Sequence, residues 1–417
     1  MINILDFGAD ASGMTVSTAA IQSAIDKCEK GDCVYVPEGI YTSGALFLKS
    51  DITLFIENGA TIKGSDSTDD FPIHTYRWEG QNTECYSSLI NAGIGADGVQ
   101  NIVIEGGGTI DANGVVLFHK EMTEKKGARG RAVCIQNSSD IIIRGVTIRQ
   151  SPAWCLHLIN CENVRIDSVK IHTKYDENGN RYKEIFNGDG IDVDSCKNVH
   201  ITNSLIASQD DCIAIKSGKD AEGRASAMSS ENIIIENCRF KSGFGVAVGS
   251  EMSGGVRNVT VRDCEFNNTF SIGSVKTCRG RGGVIEDVLF ENVELVNTDT
   301  EFSDCKWFRG GVYVDSYYSE DTISIEKKPV TDGTPLIKNI TFRNAKLDTC
   351  GGNAIYISGL PEMHCENITL ENVSAVGKYG MKAYFTDNLK MKNVTVSARN
   401  GEDYIFEDVT RERYNEC

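Results

Sequence analysis

One phrase of two short alternating segments recurs nine times along the chain, and it constrains the fold more than any other feature. Each copy has a polar turn residue, an alternating run rich in Val and Ile, a short polar break and a second alternating run. Alternation with period 2 predicts strands that bury one face. Asn and Asp suit the turn because they tolerate the left-handed conformation. The turn residues are Asn101, Asp140, Asn163, Asn198, Asn232, Asn258, Asp287, Asn339 and Asn367.

The spacing of these turn residues indicates a solenoid. Successive copies are mostly about 23 to 39 residues apart, which is the length of one coil with variable loops. We therefore predict an all-β parallel β-helix that forms a single domain over residues 1–417. A β-sandwich is the alternative, but it would not repeat the same two-strand phrase nine times.

Two kinds of segment depart from the repeat. Residues 1–32 contain a helical pattern that begins at Ser17 or Thr18, and this helix is expected to cap the open end of the solenoid. Residues 65–98 and 299–335 are predicted to be long irregular insertions. In a solenoid such insertions gather on one face, which is often the binding face.

Charge and cysteine content limit the partners of the protein. A net charge of −17 argues against nucleic acid and anionic membranes as partners, and no apolar run is long enough to span a bilayer. The 15 cysteines show no metal-ligand spacing, so we predict no metal and no cofactor. Five occupy equivalent places in the repeat and are expected to be buried apolar residues, namely Cys161, Cys196, Cys238, Cys264 and Cys365. With an N-terminus that lacks a signal-peptide pattern, these thiols predict the cytoplasm; the oligomeric state stays open.

Three aspartates are predicted to meet on neighbouring coils. Asp189 and Asp210 are 21 residues apart, about one tight coil, and Asp211 follows directly. Neighbouring coils stack at about 4.8 Å. Clustered like charges favour one protonated carboxyl beside ionised ones, as glycoside hydrolysis requires. A calcium site and a set of plain Asx turns are the alternatives.

Four motifs in a fixed order resemble glycoside hydrolase family 28, the polygalacturonase family, and in particular its bacterial exo-type branch. They read NGDGIDVDSC, SQDDCIAIKSG, GFGVAVGSEMSGGVRNV and SVKTCRGRGG, and the resemblance runs through nearly the whole chain. It implies a right-handed parallel β-helix and an inverting hydrolase. On this resemblance Asp210 is the general acid, and Asp189 and Asp211 hold the attacking water.

Two positions depart from the family pattern. Phe244 stands where the family usually has a histidine that supports the acid, and a phenyl ring cannot exchange a proton. Ser274 stands in place of an arginine that normally grips the substrate carboxylate together with a lysine, here Lys276. Arg279 lies close by in the sequence and could compensate, although a basic residue at a glycine-rich turn is an equally good interpretation.

Further substrate contacts are predicted around these motifs. Glu251 follows the third motif and is expected to line the pocket, while Lys216 either contacts substrate or neutralises the aspartates. In the first insertion, Arg77 is a candidate replacement for the carboxylate clamp and Trp78 suits stacking on a sugar, with loop packing as the alternative. Trp307, Tyr317 and Tyr318 are also candidates for stacking on a sugar, again with loop packing as the alternative.

Other polar residues of the repeat have a less specific interpretation. Asp192 and Asp194 alternate with apolar residues, so they either face outward near the site or bond within the turns of the core. His157 and His172 lie in alternating strands and are expected to be structural.

The combined prediction is an exo-acting glycosidase on plant-derived oligosaccharides, with oligogalacturonides as the default substrate. The two replaced family residues favour a second possibility, a neutral sugar such as rhamnose, xylose or apiose on a plant glycoside. A non-catalytic carbohydrate-binding protein and a calcium-dependent lyase are the rival classes.

Overall fold

The computed structural model describes residues 1–95, 98–174, 180–182, 185–298, 308–320 and 322–412. The chain divides into two compact units, Met1–Asp210 (unit 1) and Asp211–Cys417 (unit 2), which are described separately. The residues of the second predicted insertion before 308, including Trp307, lie outside the described residues. A single domain over the whole chain stays a prediction.

Unit 1 consists mainly of short parallel strands. They are β1 (Ile2–Asn3), β2 (Ser12–Val16), β3 (Cys33–Val36), β4 (Gly39–Ser43), β5 (Leu46–Leu48), β6 (Ile52–Ile56), β7 (Ala60–Gly64), β8 (Ile73–Trp78), β9 (Gln81–Tyr86), β10 (Ile90–Ala92), β11 (Gln100–Gly106), β12 (Thr109–Asp111), β13 (Val133–Gln136), β14 (Ser139–Arg144), β15 (Thr147–Arg149), β16 (Leu156–Ile159), β17 (Glu162–Asp167), β18 (Lys170–His172), β19 (Ile191–Asp194), β20 (Lys197–Thr202) and β21 (Leu205–Ala207). Apart from β8 and β9, they form three parallel stacks, which end at β19, β20 and β21.

Identical positions on successive coils form the core of unit 1. In the stack that ends at β21, each strand from β7 onward contributes one isoleucine that stands in register with the next, and all five are fully buried. They are Ile62, Ile110, Ile148, Ile171 and Ile206. Fully burying one such side chain contributes about 1.5–3 kcal/mol, so a column of this kind specifies the register between coils.

Unit 2 repeats the pattern with longer strands. They are β22 (Ile213–Lys216), β23 (Ser230–Glu236), β24 (Arg239–Ser242), β25 (Val246–Val248), β26 (Val256–Asn267), β27 (Gly273–Lys276), β28 (Val284–Asn297), β29 (Gly310–Asp315), β30 (Leu336–Thr349), β31 (Asn353–Ser358), β32 (Cys365–Gly377), β33 (Tyr379–Ala398) and β34 (Tyr404–Arg411). One parallel stack runs from β22 through β25, β27, β29 and β31 to β33. The long strands β26, β28, β30 and β32 form another. In the core of unit 2, Phe290 and Phe342 stack with ring centroids 5.0 Å apart.

The nine turn residues of the repeat adopt the predicted conformation. All have positive φ angles, between 54° and 59°. Their side chains also bond from coil to coil within a unit, as when the Asn339 amide donates to Asp287 (2.9 Å) and the Asn367 amide donates to Asn339 (3.0 Å). Asn therefore satisfies both a left-handed backbone and an inter-coil hydrogen bond at these turns.

The predicted helix at the N-terminus is present as α1 (Thr18–Lys27), with Ser17 as its N-cap residue. Its Gln22 side chain bonds both backbone groups of Phe47 in β5, which places the helix over the first coils. Two further helices, α2 (Gly114–Glu124) and α3 (Asp220–Ser226), were not predicted. No helix in the described ranges is both long and apolar enough to cross a bilayer.

The prediction that residues 65–98 and 299–335 are irregular throughout is wrong. Strands β8 and β9 form an antiparallel hairpin, closed by Glu79 and Gly80, which both have positive φ. A two-residue loop of this conformation matches the twist of a hairpin. In the second segment, β29 is a regular strand of a coil. The five cysteines of the repeat are buried, as predicted.

Candidate active site

The first two predicted catalytic aspartates, Asp189 and Asp210, lie on successive coils of unit 1. The Gly188 carbonyl accepts hydrogen bonds from the N–H groups of Gln209 (3.1 Å) and Asp210 (3.3 Å), and the Gly188 N–H donates to the Gln209 side chain (3.1 Å). A carboxylate oxygen of Asp189 and one of Asp210 lie within 4.8 Å of each other. The predicted one-coil spacing is therefore confirmed for this pair.

These two carboxylates have different surroundings. Asp189 is 3% exposed, and its carbonyl accepts the Cys155 N–H (2.9 Å), whereas Asp210 is half-buried. A Cβ at Gly188 would lie 3.1 Å from the Gln209 Cβ, so the turn that carries Asp189 packs tightly against the next coil. Unequal environments can assign different roles to two neighbouring carboxyl groups.

In unit 2, Asp211 forms a buried ion pair with Lys276. The distance from Lys276 Nζ to Asp211 Oδ2 is 2.7 Å, and the two side chains are 7% and 5% exposed. The ammonium group also lies 5.1 Å from the centre of the Tyr318 ring. Lys276 thus supplies a fixed positive charge to this carboxylate.

Ser274 stands in register with Ala247 of β25 and Tyr313 of β29, so the three side chains share one face of the stack. Burial raises the pKa of the Tyr313 phenol to about 12; Lys276 lowers it and Asp211 raises it. Sequence reasoning missed Tyr313. Its alternation with Val312 and Val314 in β29 would have placed it on the same face as Ser274.

Glu251 and Lys216 form a second ion pair in unit 2, with 3.5 Å between Oε2 and Nζ. Burial raises the pKa of Glu251, but Lys216, Arg281 and Lys276 together hold it below its ordinary value. Three cations therefore favour the ionised carboxylate, and Lys216 neutralises Glu251.

Phe244 begins a row of aromatic rings. It lies between β24 and β25, and its ring is half-buried, 5.2 Å from the ring of Phe270. Phe270 is fully buried, and its ring centroid lies 5.3 Å from that of Phe308. Gly243 and Gly245, which flank Phe244, have φ angles of 89° and 79°, a conformation that requires glycine at low energy.

Two cations that were candidates for gripping a substrate carboxylate bond to protein groups instead. Arg77 is 6% exposed, and its Nη1 donates to Asp194 (2.7 Å) and Ser195 (2.8 Å). Arg279 pairs with Glu362 (2.7 Å) and Glu320 (3.0 Å). These bonds argue against a clamp role, because a substrate carboxylate would have to displace a carboxylate of the protein.

Of the remaining candidates of unit 1, Trp78 is half-buried, and His157, Asp192 and Asp194 are buried. The Trp78 ring stacks on Trp154 with centroids 4.8 Å apart. His157 is fully buried, 4.9 Å from the Trp154 ring and 3.8 Å from an Asp194 oxygen, which supports the structural role expected for it. Asp192 and Asp194 are 0% and 1% exposed, so the alternative that they face outward is wrong.

Comparison with known proteins decides the family. The family model "Glycosyl hydrolases family 28" matches residues 30–400. The chain belongs to glycosyl hydrolases family 28. Membership in family 28 makes it a glycosidase.

Its family-28 relatives are polygalacturonases by name. A probable polygalacturonase of Vitis vinifera is 28% identical over 384 residues, covering 89% of this chain and 73% of the relative. An exo-poly-alpha-D-galacturonosidase of Dickeya chrysanthemi is 28% identical over 415 residues, covering 86% of this chain and 64% of the relative.

Two solved structures support the fold. The hyperthermoactive exopolygalacturonase from Thermotoga maritima superposes with a TM-score of 0.79 at 28% identity, covering 94% of this chain and 90% of that chain. The polygalacturonase from Erwinia carotovora matches at 22% identity with a TM-score of 0.66, covering 97% and 96% of the two chains. The prediction of a right-handed parallel β-helix is confirmed.

Proposed function

We propose that this family-28 protein is an inverting, exo-acting hydrolase that removes terminal sugars from plant-derived oligosaccharides. Asp210 is the general acid, and Asp189 and Asp211 hold and deprotonate the attacking water. The observation that carries the proposal is the approach of Asp189 and Asp210 to within 4.8 Å in unlike environments. In this scheme the half-buried carboxyl protonates the leaving oxygen, and the buried one binds the attacking water.

Lys276 supports the role of Asp211 in this scheme. Its ammonium group, 2.7 Å from the carboxylate, balances the negative charge of Asp211 and fixes the position of the carboxylate that receives the proton of water. The inverting outcome is inferred from the family resemblance. Acid and base lie about 6.5–9.5 Å apart in inverting enzymes and about 5–5.5 Å apart in retaining ones. The family resemblance favours inversion, and NMR of the newly released anomer decides between the two.

The names of the relatives support galacturonate as the first candidate for the terminal sugar. Two of them, from Dickeya chrysanthemi and Thermotoga maritima, are exo-acting by name. A pectin fragment would then be shortened from one end. A cytoplasmic location and the absence of nucleic-acid and membrane partners remain predictions that follow from composition.

One observation favours a neutral sugar as the second candidate. The described cations of unit 2 that were predicted to bind substrate are paired with carboxylates, namely Lys216 with Glu251, Lys276 with Asp211, and Arg279 with Glu362 and Glu320. The carboxylates of the protein therefore compete with the carboxylate of a uronic acid for these cations. Ser274 is fully buried, and Phe244 presents a half-buried phenyl ring, which suits an uncharged sugar.

Product release from a substrate panel tests the proposal. The panel contains digalacturonate, longer oligogalacturonates, and rhamnosides, xylosides and apiosides of plant origin, and each compound is incubated with wild type or Asp210→Asn in the presence of EDTA. Mass spectrometry identifies the released sugar. Release by wild type but not by Asp210→Asn supports the mechanism, and the identity of the sugar selects between the two candidates.

Three results would contradict the proposal. An unsaturated product that absorbs in the ultraviolet and disappears with EDTA indicates a calcium-dependent lyase. A rapid fall in pectate viscosity before reducing sugar accumulates indicates endo action. Binding of a panel compound without any release indicates a carbohydrate-binding protein.

A further inference from the structure

An exposed phenyl ring stands next to the predicted catalytic residues of unit 1. Phe186 is 47% exposed and precedes Asp189 by three residues. The Cα atoms of residues three apart are at most about 10 Å from each other, so Phe186 stands on the same short segment of chain as Asp189. The family motif begins after Phe186, and sequence reasoning did not identify this residue.

The Phe186 ring contacts the guanidinium group of Arg129, a buried cation. The guanidinium carbon of Arg129 lies 4.3 Å from the ring centre, and the edge of Phe118 packs against the ring at 5.3 Å. Arg129 is itself 4% exposed, so its charge is not offered to solvent. One side of the ring is thus covered by protein, while nearly half of the residue remains open.

The same arginine fixes the backbone that carries the ring. Its Nη1 donates to the Phe186 carbonyl (2.6 Å) and to the Pro152 carbonyl (2.9 Å), and its Nη2 donates to Asn187 Oδ1 (2.5 Å). Burial lowers the pKa of Arg129 to about 10, which leaves it charged at neutral pH. The segment from Phe186 to Asp189 is therefore anchored at both the ring and the main chain.

We propose that Phe186 is a stacking platform for a sugar ring of the substrate. A rigid, partly exposed aromatic ring on the segment that carries Asp189 presents an apolar surface to the C–H groups of a sugar, while the hydroxyls of the sugar remain available for polar contacts. Because the ring is already immobilised, little conformational entropy is lost when the sugar binds. The inference rests on the proposed function only in taking a carbohydrate as the ligand.

Affinity measurements test the platform without requiring turnover. Titration calorimetry in the Asp210→Asn background measures the Kd for the panel compound that wild type hydrolyses, or for trigalacturonate if none is hydrolysed. We expect Phe186→Ala to raise the Kd by about 10-fold, and Phe186→Tyr, which keeps the ring, to stay within about 2-fold. Phe7→Ala is the matched control, because Phe7 is also exposed, at 36%.

The outcomes separate this inference from the proposed function. If wild type hydrolyses nothing but the Kd still depends on Phe186, the platform stands and the hydrolase proposal fails. An unchanged Kd in Phe186→Ala overturns the platform, whatever the activity, and so does an absence of measurable binding by the parent protein. Circular dichroism and thermal unfolding of Phe186→Ala exclude misfolding, and a loss of affinity that Phe186→Tyr shares also contradicts stacking.

Discussion

Two buried ion pairs of equal length, one in each unit, have different consequences. Arg77 and Asp194 of unit 1 are joined at 2.7 Å, with side chains 7% and 1% exposed. Lys276 and Asp211 of unit 2 are also joined at 2.7 Å, with side chains 7% and 5% exposed. Distance and burial therefore do not distinguish a structural pair from one proposed to act in catalysis.

The surroundings of the two pairs differ. Asp194 is the last residue of β19 and is also close to buried His157, so its pair lies among packed side chains. Asp211 follows the half-buried Asp210 directly in the chain, and its partner Lys276 faces the Tyr318 ring. A pair enclosed by packing contributes to stability, whereas one next to an accessible carboxyl can also adjust chemistry.

The same substitution at the two aspartates should separate these roles most strongly. Asp211→Asn removes the carboxylate proposed to deprotonate water, and we expect turnover to fall about 10³-fold or more. Asp194→Asn leaves Arg77 buried without its counter-charge, so the free energy of unfolding should fall by about 3 kcal/mol. Urea unfolding and initial rates of both variants provide the measurement. If Asp194→Asn lowers turnover as much as Asp211→Asn does, in protein that is still folded, the contrast is wrong.

The cations of the two pairs provide a second contrast. Lys276→Met should lower kcat by about 10- to 100-fold, because Asp211 loses the cation that balances and positions its carboxylate. Arg77→Met should mainly lower stability, by about 3 kcal/mol, while KM stays unchanged in the folded fraction. A large rise in KM for Arg77→Met would restore the predicted role of Arg77 as a substrate clamp.

The contribution of the Arg77–Asp194 pair of unit 1 should be visible in the free energy of unfolding measured at acid pH. Burial raises the pKa of Asp194, but Arg77 and His157 outweigh this effect and hold the pKa at about 2. The pKa of Asp194 in the folded protein is below the ordinary value of about 4, so the pair contributes about 2 kcal/mol to the free energy of unfolding at neutral pH. This contribution is lost as the pH falls from about 4 through 2. The stability difference between wild type and Asp194→Asn should shrink over that interval. A difference that is constant from pH 6 to pH 2 would contradict the assignment.

An effect of opposite sign is expected from α2 of unit 1. Burial raises the pKa of Glu121 to about 8, although Arg129 lies nearby and the Gly130 N–H donates to its carboxylate (3.1 Å). A raised folded pKa means that stability is lost as the pH rises from about 5 through 8. The melting temperature of wild type should decline by a few degrees over this range, and Glu121→Gln should decline less. Equal slopes for the two proteins would show that Glu121 ionises normally.

Much of the fold could be predicted from the sequence because neighbouring coils repeat the same local pattern. The alternating runs defined strands, the Asn and Asp positions defined left-handed turns, and the recurring cysteines were assigned to the core. The 21-residue interval between Asp189 and Asp210 also predicted their meeting. In each case the interaction joins residues one coil apart or less, so a period in the sequence is enough to describe it.

Tertiary structure alone decided how the cations are used and which aromatic rings are exposed. The Arg77–Asp194 bond spans 117 residues and the Lys276–Asp211 bond spans 65, so each depends on the lengths of the intervening coils and loops. The same is true of Arg129 and Phe186, which are 57 residues apart. Long side chains reach several partners at comparable distances, and only the packed register of the coils selects among them.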